Sequence, residues 1–157
     1  MYVTLNRKDQ IIFIVTHTMI PLLIGAAVYI ICRPGTIVAG ICRKMIPVPD
    51  HILHISGMHW TVILLKNYIC DMLWAYALTI FIIGYEGLFC QPIWRGCVVC
   101  LGFTAVLELL QLLPFVAGTF DVFDILSEWL MVGLAAWNYI VFYNRKTRRE
   151  AYEEKRS

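Results

Sequence analysis

The stretch IIFIVTHTMIPLLIGAAVYIIC, from Ile11 to Cys32, decides the fold class. As a helix, its roughly 22 residues are long enough to cross a hydrocarbon core of about 30 Å. Arg7 and Lys8 precede it, as they would a signal peptide, but the run exceeds the usual apolar core of about 7–15 residues. Ile31 is also too large to sit before a lipoprotein cleavage site at Cys32. The reading is therefore a retained transmembrane helix.

Three further apolar runs follow. One extends from about Tyr68 to Phe89, one from about Cys97 to Val116, and one from about Phe120 to Tyr143. Cys90-Gln91-Pro92-Ile93-Trp94-Arg95-Gly96 joins the second and third, and so short a connection makes them antiparallel neighbours. The turn before the fourth run, Pro114 to Thr119, contains Gly118. The expected fold is all-α, a polytopic bundle of four transmembrane helices (about 11–32, 68–89, 97–116 and 120–143). It forms one membrane domain over 1–144, with a charged cytoplasmic tail over 145–157 that is a solvated helix end or disordered. Arg33-Pro34-Gly35 ends the first helix. The 34-residue connection that follows stays rich in Ile, Val, Leu and Trp, so it is expected to lie on the membrane surface or fold back into the bundle.

Composition agrees. The 157-residue chain is 60% hydrophobic and 15% charged, with mean hydropathy +0.71, against about 45–50% apolar and 25% charged for a soluble domain. A net charge of +2 does not point to nucleic acid. Cys32, Cys42, Cys70, Cys90, Cys97 and Cys100 lie in or beside apolar runs and read as small hydrophobes rather than a disulfide framework. The Cys97/Cys100 spacing has no second pair and no nearby His to make a metal site, so it reads as helix packing.

Lysine and arginine set the orientation. With the N-terminus cytoplasmic, that side holds Arg7, Lys8, Arg95, Arg145, Lys146, Arg148, Arg149, Lys155 and Arg156. The other side holds Arg33, Arg43, Lys44 and Lys66, so the count favours N-in and C-in by nine to four. The expected arrangement is multi-pass, with both termini on the cytoplasmic side.

The candidate site comes from polar groups that are costly in lipid. Glu108 and Gln111 are three residues apart and share a helix face. Asp121, Asp124 and Glu128 follow an i, i+3, i+7 stripe. Asp71 opens the second span. These six converge at the outer end of three helices as a candidate ligand-binding pocket. For Asp121 and Asp124, capping and the helix dipole are a sufficient structural explanation. Glu86 is expected to reach water near the cytoplasmic interface, and His17 to be a hydrogen-bonded bundle histidine. His51, His54 and His59 read as interfacial loop residues.

Glu108-Leu109-Leu110-Gln111, followed by Gly118-Thr119-Phe120-Asp121-Val122-Phe123-Asp124, resembles the VanZ-like family of small bacterial membrane proteins. That family's pattern is a helix with E-x-x-Q, a short turn, and D-x-x-D at the head of the next helix. Asn67 to Tyr76 is similar to the start of the preceding helix, so the resemblance covers about Asn67 to Trp137. Glu128 stands where members often carry Asn, and Ala117-Gly118-Thr119 replaces a turn that often holds Arg. The resemblance implies a small multi-span protein of the cell envelope, in the bacterial cytoplasmic (inner) membrane, and the family's named member is associated with low-level resistance to the glycopeptide teicoplanin.

Three functions are open on this reading. The first is an accessory role of antibiotic-resistance type, binding an envelope lipid headgroup, a cation or a glycopeptide-related ligand. The second is a membrane-embedded enzyme acting on a lipid or prenyl phosphate, with paired carboxylates as acid and base or as Mg²⁺ ligands. The third is a structural subunit, with Gly84, Gly102, Gly133, Ala135 and Ala136 packing on a membrane-protein partner or a second copy. The sequence names no cofactor, no metal and no catalytic residue. The expected partners are membrane lipid and an envelope-precursor ligand.

Overall fold

The computed structural model describes residues 7–32, 68–113, 120–154 and 156. Among them the chain is all-helical: α1 (Arg7–Cys32), α2 (Cys70–Leu88), α3 (Ile93–Leu110) and α4 (Val122–Glu154). The connection 33–67, with Arg33, Arg43, Lys44, Lys66 and its three histidines, and the turn at 114–119 both lie outside the described residues.

The helices alternate in direction. Gly25 of α1 packs on Leu73 at the start of α2, and Gly84 near the end of α2 packs on Ile14. Glu86 approaches Gly96 at the start of α3, and Tyr68 meets Asp121 at the start of α4. The first turn of α1 and the last turns of α4 therefore share one end of the bundle, joined by the Lys146–Asp9 ion pair. The opposite end gathers the start of α2, the end of α3 and the start of α4.

Three helices are long and apolar enough to cross a membrane, over Arg7–Val28, Ile93–Leu110 and Val122–Arg149, and they mark this as a membrane protein. Four spans were expected, and α2 is not among these three. It is the central helix, packed against all three others, with Ala75, Ala77, Thr79, Ile80 and Ile83 fully buried. A helix that faces protein can carry Asp71, Thr79 and Glu86 without presenting them to lipid. By contrast α1 exposes Ile11, Ile12, Val15, Met19, Ile20, Leu23 and Ile24, an apolar face suited to acyl chains.

Several boundaries move relative to the expectation. The third helix begins at Ile93, inside the expected connection, because extended Pro92 sits at the N-cap position and its carbonyl accepts from the Arg95 amide at 3.1 Å. The reversal before it passes through Cys90, whose φ of 56° is left-handed. This helix ends at Leu110, six residues short of Val116. Its last amides, Gln111, Leu112 and Leu113, bond three residues back, and the residue before a proline (here Pro114) is disfavoured in α conformation. The charged tail continues α4 as helix to Glu154.

The core joins Phe13 of α1, Tyr76, Ile80 and Ile83 of α2, and Ala135 and Tyr139 of α4. Gly84 and Ala135, expected on a partner-facing surface, instead face inward here; Gly102 and Gly133 face open space. Gln10 is buried among these residues and donates to the Tyr139 hydroxyl at 2.9 Å and to the Gly84 carbonyl at 3.4 Å. Gln10→Leu should therefore lower the stability of the detergent-solubilised bundle by about 0.5–1.5 kcal/mol, the range for interhelical bonds in membrane proteins. An unfolding midpoint equal to that of wild type would show that these bonds add nothing net.

Candidate functional site

The acidic end of the bundle is built by three helix termini. Asp121 caps α4: its Oδ1 accepts from the Phe123 amide at 2.9 Å, and its carbonyl accepts from the Asp124 amide at 3.2 Å. This satisfies an amide that the first turn leaves without a helical partner. The other oxygen, Oδ2, accepts from the Tyr68 hydroxyl at 3.2 Å, which ties the cap to the segment leading into α2. Asp124 lies in the first turn, where the positive end of the helix dipole favours an acid, and its carbonyl accepts from the Ser127 hydroxyl at 2.8 Å.

Glu108 and Glu128 have no such capping role. Glu108 is 6% exposed and Glu128 is 5% exposed. Glu108 Oε1 accepts from Gln111 Nε2 at 2.8 Å, as the three-residue spacing expects. The Asp121 amide also faces this carboxylate, and the charges of Asp71 and Asp121 act on it. Glu128 faces Thr104 and feels Glu108, Asp71 and Asp124. On each of the two glutamates the second oxygen, Oε2, is buried and has no hydrogen-bond partner among the described residues. Charge repulsion is poorly screened where water is scarce, so such a cluster is best satisfied by protons or by a ligand that brings hydrogen-bond donors.

All six expected residues thus lie at one end: Asp71 from α2, Glu108 and Gln111 from α3, and Asp121, Asp124 and Glu128 from α4. Every described lysine and arginine lies toward the opposite end or beyond it, so the described side chains at this end are acidic. Among the described residues no three His, Cys, Asp or Glu form a group that could hold a metal ion. The chemistry on offer is acceptance of hydrogen bonds by carboxylates at the rim of a membrane.

Thr104 is the site residue that sequence reasoning missed. The signal was present, because Gly96, Cys100, Thr104 and Glu108 recur every four residues and are the buried residues of α3. The same logic joins Glu128, Val132, Ala135 and Tyr139 on the buried face of α4. Cys100 is fully buried on the α3 stripe and Cys97 is half-buried.

Glu86, expected to reach water, is half-buried, and its Oε2 is enclosed with no hydrogen-bond partner among the described residues. That oxygen lies 2.9 Å from where a Cβ on Gly96 would sit, so the close approach of α2 and α3 shuts it in. His17 stacks on Phe13 with ring centroids 4.0 Å apart. Its Nδ1 lies 3.1 Å from the Phe13 carbonyl. A carbonyl only accepts, so Nδ1 carries the proton in that bond.

No family model, no curated protein and no solved structure matches this chain.

Proposed function

We propose that this chain is a VanZ-like protein of the bacterial cytoplasmic membrane, with four spans and both ends cytoplasmic, that binds a cationic group of an envelope lipid or envelope precursor at its acidic outer end. The observation that carries the reading is the pair of buried glutamates, Glu108 and Glu128, each with one enclosed oxygen that no donor among the described residues meets. Buried acids in a membrane are expensive, and they mark ligand sites more often than packing. The nine-to-four lysine and arginine bias supports the orientation. The E-x-x-Q and D-x-x-D spacing supports the family and its envelope role.

The enclosed oxygens call for N–H donors, so a primary ammonium suits the site better than a quaternary one. Protein in detergent is expected to bind a phospholipid with an ethanolamine headgroup more tightly than the matching choline lipid, as read by native mass spectrometry. Glu108→Gln and Glu128→Gln should each weaken ethanolamine-lipid binding about tenfold or more, because a charge-assisted hydrogen bond contributes about 1.5–3 kcal/mol. Equal affinity for the two headgroups, with no loss in either folded variant, would remove the basis for this function.

A further inference from the structure

We infer that the bundle carries protons across the membrane along an internal file of polar side chains, from Glu108 and Glu128 at the acidic end to Glu86 at the other. Three helices supply the file. The buried face of α3 presents Gly96, Cys100, Thr104 and Glu108. Thr79 and Glu86 come from α2, which runs antiparallel to α3, and Glu128 comes from α4. Thr104 faces Glu128, and the Cys100 thiol meets the Thr79 hydroxyl. Glu86 is close enough for its charge to act on Cys97 and Cys100, and its Oε2 closes on Gly96.

These groups face one another rather than lipid. Thr79, Cys100 and Thr104 are fully buried, and Glu108 and Glu128 nearly so. The exposed side of α3 carries Val98, Val99, Phe103 and Val106 instead. Acids stand at both ends of the file. Glu86, Glu108 and Glu128 each enclose an Oε2 that has no hydrogen-bond partner among the described residues. Helix packing alone gives no reason to enclose an acid at each end of one seam, where an apolar residue costs less. Intramembrane acids linked by groups that exchange protons have the chemistry of a relay.

The spacing suits proton hopping. From Gly96 to Glu108 the helix rises about 18 Å, in four-residue steps of about 6 Å, a step that one water bridges. Thr79 Oγ1 donates to the Ala75 carbonyl at 2.7 Å, and Thr104 Oγ1 to the Leu101 carbonyl at 3.3 Å. Each oxygen keeps lone pairs for an incoming proton, and each hydroxyl can turn to pass its own proton on. Glu86 lies three residues before the exposed turn at 89–92, within reach of water. A proton taken up by a glutamate at the acidic end is matched by one released from Glu86, or the reverse. One positive charge crosses per transfer, down the standing pH gradient, and no co-reactant is consumed. Protons suit the file better than metal ions, because among the described residues no three His, Cys, Asp or Glu could hold one.

The test reads flux and not lipid binding. Protein is reconstituted in vesicles of phosphatidylcholine alone, which leaves out the ethanolamine lipid proposed above. A pH-sensitive dye is trapped inside, and valinomycin with potassium balances charge. After an external pH step, these vesicles should equilibrate about tenfold faster than empty ones, with no matching entry of sodium. Glu86→Gln should slow equilibration about tenfold and leave ethanolamine-lipid binding unchanged. Thr104→Ser keeps the hydroxyl and should conduct, whereas Thr104→Val keeps the bulk and should not. A packing role would reverse that order.

Equilibration no faster than in empty vesicles would overturn the inference, as would equal entry of sodium or full conduction by folded Glu86→Gln. Should that variant not fold, full conduction by Thr104→Val would overturn it equally.

Discussion

Gly84→Ala is expected to cost about 1–3 kcal/mol of bundle stability, the usual range for an overpacked core, and Gly84→Leu to prevent α1 from docking. A Cβ on Gly84 would lie 2.4 Å from Ile14 Cγ1 and 2.8 Å from Ile14 Cδ1. Neither helix can yield locally. Ile14 is itself buried, and its Cγ1 is fixed close to the backbone. Relief requires α1 to move away from α2, which would also stretch the Gln10 bonds to Tyr139 and Gly84.

The remedy lies in the same contact. Ile14→Ala removes both crowded atoms and leaves Ile14 Cβ at 3.6 Å, an ordinary contact. The double variant Gly84→Ala/Ile14→Ala should therefore recover part of what the two single changes lose, and a double-mutant cycle in detergent unfolding measures the coupling. Strictly additive losses would mean that α1 does not pack on α2 at this register.

Ile83→Ala should cost about 1–3 kcal/mol, less than the roughly 2–5 kcal/mol typical of soluble cores. Ile83 is fully buried where α1, α2 and α4 contribute to one cluster, and its Cγ2 also closes on Gly96 of α3. In water the cost of truncation combines lost transfer energy with a cavity. A helix that separates within a bilayer still has lipid around it, so the transfer part largely vanishes and the lost packing remains. Ile83→Val removes a single methyl and should lie below it, at about 0.5–1 kcal/mol. If alanine proved no worse than valine, the four-helix junction would be loosely packed.

Much of this architecture is legible residue by residue. Ile11 to Cys32 announces a membrane helix because it carries no charged residue and, apart from Thr16, His17 and Thr18, is apolar over a bilayer's width. Glu108 with Gln111 announces a shared face because the three-residue spacing permits one geometry, and the 2.8 Å bond between them is that geometry. Asp121 reads as a cap before any coordinates, since acids before an apolar run satisfy the amides that a helix start leaves open.

Other features required the tertiary structure. Glu86 looks like an interfacial acid in sequence, yet α3 closes over one of its oxygens, because that enclosure depends on how closely two backbones approach at Gly96. Gly84 and Ala135 look available to a partner protein, yet they are consumed inside the bundle. Thr104 shares a four-residue stripe with Glu108 in the sequence, but its place beside Glu128 follows only from the packing of α3 on α4. Glu86, Cys100 and Glu128 stand on three different helices, and no local pattern joins them into one file.

The apolar run from Ile11 to Cys32, with the runs that follow it, determined on its own that this is a helical membrane protein, because hydropathy over a bilayer's width is a local property of the chain. The tertiary structure alone decided that α2 is the central helix, that Glu108 and Glu128 are buried together, and that one polar file runs between α2, α3 and α4. Burial and proximity belong to pairs of helices, and in a bilayer, where every helix is apolar, it is the close packing of particular side chains that selects which pairs form.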